Sequence, residues 1–514
     1  VSAADLARDL AVVAATVGVL LLLVPLRAIR PVHRLAGLVL VVGSWVTLVV
    51  GLLPEQETDR LTTPAGAAAL LVGLAVGAAL LALGAWAVLR WPLAWFAALG
   101  LALPVRIPIT LGGDQRNLLL PLYALIAVGV AAYVWSRVRG TAAEAGDPRT
   151  ALDWPLAAFL GFTVVSALWS VDPEEAGVKL VFFYLPFLLL YLAVVALWRR
   201  TRALEALTAT TIGLATAVAV LAVVQYLTKE IFWNVRLQQA NVYSRFFRAN
   251  GIFYDPNILG RYLVVAIVAI VALAWLRPRA RELAVWAVLL VPLCAGLFTT
   301  FSRSSCLMLM TALAIMSWRA FGGRRTLAVG GVTLLVLAGG ALVASDNVRG
   351  AATDLDRLEK VSEGRFDLMG GGVKIWREAP VHGAGLGGFE ARYEQTLTPS
   401  EQRRVRVVIS HNTPVTVLSE LGLVGLGLFA FLGVWTWRGI AGAARRDGPS
   451  WRAWARWTML ATVTGIAVHA LFYAGFFEDP VLWVLAAGAL ALAPPAAAGP
   501  TEPGPEAATA RVAA

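Results

Sequence analysis

The chain has 514 residues, 59% of them hydrophobic and 15% charged, with a mean hydropathy of +0.73; these values exclude a soluble globular enzyme and imply an integral membrane protein. A formal charge of +11 would suit a nucleic-acid partner in a soluble domain, but here the arginines stand in short clusters between apolar runs, so no nucleic acid is implied. Cys294 and Cys306 both fall in apolar runs, which excludes a disulfide framework and suggests buried small hydrophobes; four histidines without ligand spacing imply no metal site and no cofactor.

A helix crossing about 30 Å of hydrocarbon needs roughly 20 apolar residues. In chain order that rule marks Leu10–Leu26, Leu35–Leu53, Ala65–Leu89, Trp91–Leu103, Leu118–Trp135, Trp154–Trp169, Val178–Trp198 and Ala203–Leu227. It then marks Ile258–Leu276, Leu283–Phe301, Ser304–Trp318, Leu327–Ala344, Thr413–Trp437, Trp457–Phe477 and Val481–Leu492. The predicted fold is therefore all-α, a polytopic bundle of about 12–15 transmembrane helices with one large external loop. The first run lacks a basic segment before it and reads as a retained helix, not a cleaved signal peptide. No internal repeat is visible.

The connections alternate in charge. Arg27/Arg30/Arg34, Arg90, Arg137/Arg139/Arg149, Arg199/Arg200/Arg202, Arg277/Arg279/Arg281, Arg319/Arg324/Arg325 and the run from Arg438 to Arg456 occupy every second one, which the positive-inside bias assigns to the cytoplasm. The intervening acidic or neutral connections face outward, with the N-terminus outside. Residues 1–90 then form additional N-terminal helices, 91–494 a transmembrane core, and 495–514 a disordered cytoplasmic tail. The two longest external segments are 228–257, rich in interfacial aromatics, and 345–411, polar and charge-mixed. Chemistry is expected on this face, where the ionisable residues gather.

Four stretches carry a recognisable pattern. They are Gly251-Ile252-Phe253-Tyr254-Asp255-Pro256-Asn257; Thr300-Phe301-Ser302-Arg303-Ser304; Gly364-Arg365 with Trp376 and the Gly383/Gly385/Gly387 turn; and His411-Asn412 followed by Glu420-Leu421-Gly422-Leu423-Val424-Gly425. In this order, at the predicted external face, they resemble the O-antigen ligase and polymerase superfamily, over roughly Leu118 to the end. The resemblance implies a core of about twelve helices with a large external loop between the ninth and tenth, which is where 345–411 falls when spans are counted from Trp91.

It also implies an activity: metal-independent, inverting transfer of a glycan from an undecaprenyl-pyrophosphate donor to an acceptor hydroxyl on a glycan or lipid, at the outer face of the bacterial cytoplasmic membrane, among membrane lipids. A leaving pyrophosphate needs cationic donors, and arginine matches phosphate oxygens bidentately. The acceptor hydroxyl needs a base that titrates near neutrality, for which histidine is suited. By the resemblance, His411 is the general base and Arg303 binds the carrier phosphate; the plain alternatives are a helix-capping histidine and an interfacial anchor. Arg365 is the partner expected from the long loop. Arg377, Arg261, Arg106 and Lys374 are further phosphate candidates, and His469 reads as a packing histidine. Two other readings remain: a transporter or flippase of lipid-linked sugars, and a non-catalytic glycan-binding protein.

Overall fold

The computed structural model describes residues 2–24, 31–53, 59, 63–111, 114–139, 150–198, 202–232, 234–243, 246–276, 279–326, 365–398, 410–473 and 475–492. The span expected at Leu327–Ala344, the first part of the segment expected to form the long external loop, connecting residues such as Arg27 and Arg30, and the tail from 493 lie outside the described residues.

The fold is all-α and polytopic. Ten helices among the described residues are long and apolar enough to cross a membrane, and three shorter apolar helices accompany them. In chain order they begin with α1 (Ala3–Leu23), α2 (Pro31–Gly51), α3 (Pro64–Arg90), α4 (Pro92–Ala102), α5 (Leu120–Val138), α6 (Asp153–Val165), α7 (Pro173–Trp198) and α8 (Ala203–Thr228). After the short α9 (Val235–Tyr243) come α10 (Pro256–Leu276), α11 (Ala280–Thr299) and α12 (Arg303–Phe321). The loop helices α13 (Arg365–Glu378) and α14 (Phe389–Thr396) precede α15 (Thr413–Arg446), α16 (Trp451–His469) and α17 (Pro480–Ala491). One small hairpin interrupts the helices: β1 (Ile107–Leu111) pairs antiparallel with β2 (Asp114–Leu118), in register Ile107 to Leu118. Hydropathy gave no sign of it, because a few residues between two apolar runs read simply as a connection.

Composition explains the burial pattern. From Leu180 onward helix α7 is apolar on every side and lies at the centre, with Leu188, Leu190 and Val194 fully buried. Helix α3 is equally apolar but packs chiefly on α4 and α5, leaving Leu71, Val72 and Leu83 facing outward. Helix α1 lies along α2 and α6, so the N-terminal helices are joined to the core. The two cysteines are free and exposed on α11 and α12, not buried as their apolar surroundings suggested, because those helix faces point away from the bundle.

Two backbone irregularities prepare the site. Within α7, Leu180–Tyr184 widens into a π turn, and two of its carbonyls accept from elsewhere: Trp45 Nε1 donates to Val181 O at 2.7 Å and the Tyr123 hydroxyl to Phe182 O at 2.8 Å. Helix α15 is broken at Gly422, whose φ of 66° and ψ of −164° belong to a region open essentially to glycine. The break frees backbone groups that the Gly-rich turn then satisfies. Ala384 N donates to Ser419 O at 2.9 Å and Gly385 N to Glu420 O at 2.8 Å, while Leu423 N donates to Pro380 O at 2.9 Å and Val424 N to Val381 O at 3.2 Å. The close approach requires glycine on both sides, since a Cβ on Gly383 would strike the Glu420 carbonyl and one on Gly422 the Val381 carbonyl. Gly422→Ala is expected to cost about 2–5 kcal/mol, the sum of forced backbone strain and overlap, read as a lower melting temperature of the purified protein in detergent. An unchanged melting temperature would show that the clasp does not hold the break.

Two groups of charged side chains stand out among the described residues, at different ends of the helices. At one, Arg456 pairs with Asp447 at 2.7 Å and donates to the carbonyls of Ala489 and Leu492, and the Arg319 guanidinium lies 4.5 Å from the Trp457 ring. At the other end lie Arg106, Lys179, Arg261, Glu420 and Tyr473, around one cavity.

Candidate functional site

The His411 turn is built by its neighbours. Asn412, not His411, caps α15: its Oδ1 accepts from Val415 N at 3.0 Å and its Nδ2 donates to Leu471 O at 2.9 Å. Ser410 Oγ donates to Asn412 O at 2.8 Å and accepts from Asn412 N at 3.1 Å. Held between them, His411 has φ of 54°, a left-handed conformation uncommon for a side chain other than glycine and frequent in over-determined functional turns. The capping alternative for His411 thus gives way to Asn412. The imidazole sits beside Tyr473, with ring centroids 6.4 Å apart.

Tyr473 lines a cavity of about 260 Å³ together with Arg106, Glu175, Lys179, Arg261, Glu390, Glu420 and Glu478. These charged groups are placed by several different elements. Arg261, on α10, is only 4% exposed; its Nε meets Asp479 Oδ2 at 2.8 Å and its Nη1 donates to Gly475 O at 3.3 Å. Asp479 in turn caps α17 by accepting from Val481 N at 3.0 Å. Arg106, just before β1, faces Arg261. Burial first, and the Arg261 charge second, press its guanidinium below the ordinary arginine value, against the pull of Asp479. Two guanidinium groups converge beside the Asp479 carboxylate and supply the donors that an anion site needs. Lys179, on α7 immediately before the π turn, meets Glu420 Oε1 at 2.8 Å. Glu420 immediately precedes Leu421 and the Gly422 break, so the clasp and this ion pair share one stretch of α15.

The rest of the cavity wall carries carboxylates. Burial pushes the Glu478 carboxyl up, and burial together with Glu175, Glu394 and Asp172 raises Glu390 to about 7, opposed by Lys179. Raised to about 7, Glu390 can both donate and accept near neutrality, which suits sugar hydroxyls. The fold holds the Glu390 proton more tightly than the unfolded chain does, so the associated stabilisation is present below about pH 4.5 and is lost as pH rises through about 7. Glu390→Gln is accordingly expected to melt above the parent near pH 8 and level with or below it near pH 5, in detergent melts across that range. A constant offset at every pH would mean that Glu390 carries an ordinary carboxyl.

The arginines singled out from the sequence are distributed unevenly. Arg303 opens α12 after the Ser302 cap and is exposed; it does not line the cavity, though the serines beside it reach α10, with Ser305 Oγ donating to Asn257 O at 3.4 Å. Nearby, Arg248 donates to Thr300 O at 2.9 Å and to Asn257 Oδ1 at 3.1 Å. Arg377 and Lys374 lie on α13, away from the cavity lining. Arg365 opens α13, and its side chain lies outside the described residues. His469 is fully buried with its ring 5.4 Å from Tyr473, as a packing histidine would be. Lys179 and Tyr473 drew no attention along the chain; the one available signal was a lone lysine leading directly into a long apolar run. Among the described residues no group of three or more His, Cys, Asp or Glu side chains is arranged to hold a metal ion.

Against known families, residues 288–430 match the model described as O-Antigen ligase, a stretch from α11 through the Gly-rich turn and the His411 turn into α15. Arg106, Lys179, Arg261 and Tyr473 lie outside the matched stretch. Comparison with curated proteins gave no match.

Proposed function

From the premise that this chain belongs, through residues 288–430, to the O-antigen ligase and polymerase superfamily, we propose that it moves a glycan from an undecaprenyl-pyrophosphate donor to an acceptor hydroxyl at the outer face of the bacterial cytoplasmic membrane. The observation that carries this reading is the convergence of a strained His411 turn, through Tyr473, on a cavity containing the Arg106–Arg261 pair.

The chemistry runs on these side chains without a metal. His411 takes the proton of the acceptor hydroxyl as its oxygen attacks the anomeric carbon from the face opposite the carrier. The bond from that carbon to the phosphate oxygen breaks with its electron pair on the leaving undecaprenyl pyrophosphate, so configuration inverts. Arg106 and Arg261 take up the charge that grows on the leaving oxygen, with Arg303 and Arg365 as further phosphate contacts and Arg377 farther out. The acidic wall, with Phe183 and Phe389, receives sugar hydroxyls.

A broken helix also suits a transporter, which uses exposed helix ends to hold its cargo. Here the freed groups at Gly422 are closed by residues 380–385, so the break offers no such ends. Purified protein in detergent, given undecaprenyl-pyrophosphate-linked glycan and an acceptor glycan, should yield inverted product in the presence of a chelator. Intact donor after prolonged incubation would overturn the proposal.

A further inference from the structure

Resting on the glycan-transfer reading, we propose that Tyr473 is a positioning residue that holds the His411 base in register with the Arg106–Arg261 pair. The base and the cations lie on separate elements, His411 before α15, Arg261 on α10 and Arg106 before β1, so something must fix their separation. The strap between α16 and α17, residues 470–473 and 475–479, is stitched to both sides. On the His411 side, Thr413 N donates to Ala470 O at 2.9 Å and Asn412 Nδ2 to Leu471 O at 2.9 Å. On the α10 side, Arg261 donates to Gly475 O and pairs with Asp479.

Tyr473, in this strap, reaches both. Its ring lies against His411, and the Arg261 guanidinium carbon stands 5.9 Å from its centroid, at the outer reach of a cation–π contact. Asp255 acts on its hydroxyl, and the same carboxylate accepts from Asn257 N at 2.6 Å and so starts the helix that carries Arg261. Burial, and then Asp255, keep that hydroxyl protonated and therefore a donor, against the opposing pull of Arg261 and Arg106. Ring and hydroxyl have separate roles, since the ring packs the imidazole while the hydroxyl anchors the ring to α10.

A displacement of about 1 Å between base and leaving group can cost roughly 10²-fold in rate without loss of binding. Tyr473→Ala is therefore expected to lower kcat about 10–100-fold while KM for the lipid-linked donor changes less than about threefold. Tyr473→Phe keeps the ring and loses the anchor, for a loss of roughly 3–10-fold, and adding Asp255→Asn to it should cost little more because the two share one contact. Each variant is assayed beside the parent and His411→Ala, with detergent melts as the check on folding. Should Tyr473→Ala fail to fold, Tyr473→Phe and the double variant decide. Parental kcat in Tyr473→Phe and Tyr473→Ala, or a loss confined to KM, overturns the positioning role while leaving glycan transfer intact. Absence of transfer by the parent itself overturns both.

Discussion

His411→Ala is expected to lower turnover by roughly 10²–10⁴-fold while leaving donor KM nearly unchanged, the weight of a general base acting only in the transition state. The structure makes the test clean in one respect, since the α15 cap belongs to Asn412 and survives the substitution. It complicates it in another, because alanine tolerates φ of 54° less well than histidine does. His411→Asn separates the two effects: asparagine tolerates a left-handed backbone but cannot act as a base near neutrality. Both variants should lose turnover alike, while His411→Asn keeps the parental melting temperature. Initial rates at saturating lipid-linked donor decide it. Recovery of turnover in either variant would reduce His411 to a residue of the turn.

Arg261→Ala should reduce kcat/KM by about 10²–10³-fold through both kcat and KM, because the guanidinium meets charge already present on the bound pyrophosphate and growing as the bond breaks. The buried pair with Asp479 must be handled separately, since removing one partner strands the other at about 3–5 kcal/mol. Replacing both, as Arg261→Leu with Asp479→Asn, removes the stranded carboxylate, keeps an N-cap for α17, and should recover most of the stability but none of the transfer. Arg261→Lys should retain the charge and recover only part of the activity, lacking the planar fork. Arg303→Ala belongs in the same series. Exposed at the tip of α12, it is expected to lose less than Arg261→Ala, and a larger loss would move the phosphate site from the cavity to the Ser302–Ser305 turn.

The candidate site was legible in unequal parts. His411 stood out because its neighbours form a local motif, and the structure finds that motif folded locally, with Ser410 and Asn412 making the turn. The Gly383–Gly388 turn was legible as a place of close approach, but only the fold shows that what approaches is the backbone of α15 at Gly422. Arg106 and Arg261 looked no different from Arg377 or Lys374 along the chain. Lys179 read as the edge of a hydrophobic run, and its counter-charge Glu420 lies in a different helix. Tyr473 gave no local sign at all.

By itself the sequence determined that the chain is helical and that it carries many helices able to span a membrane. Those outcomes follow from the cost of unsatisfied backbone and of charge in hydrocarbon, several kcal/mol per group, which outweighs any particular packing choice. Only the tertiary structure decided which cations meet and which carboxylates face them. Arg106, Lys179, Arg261 and Glu420 reach one cavity because a π turn in α7, a break in α15 and the strap between α16 and α17 aim them there. The π turn and the break are stabilised by partners distant in the chain, Trp45 and Tyr123 for the first and residues 380–385 for the second, so no local pattern could announce them.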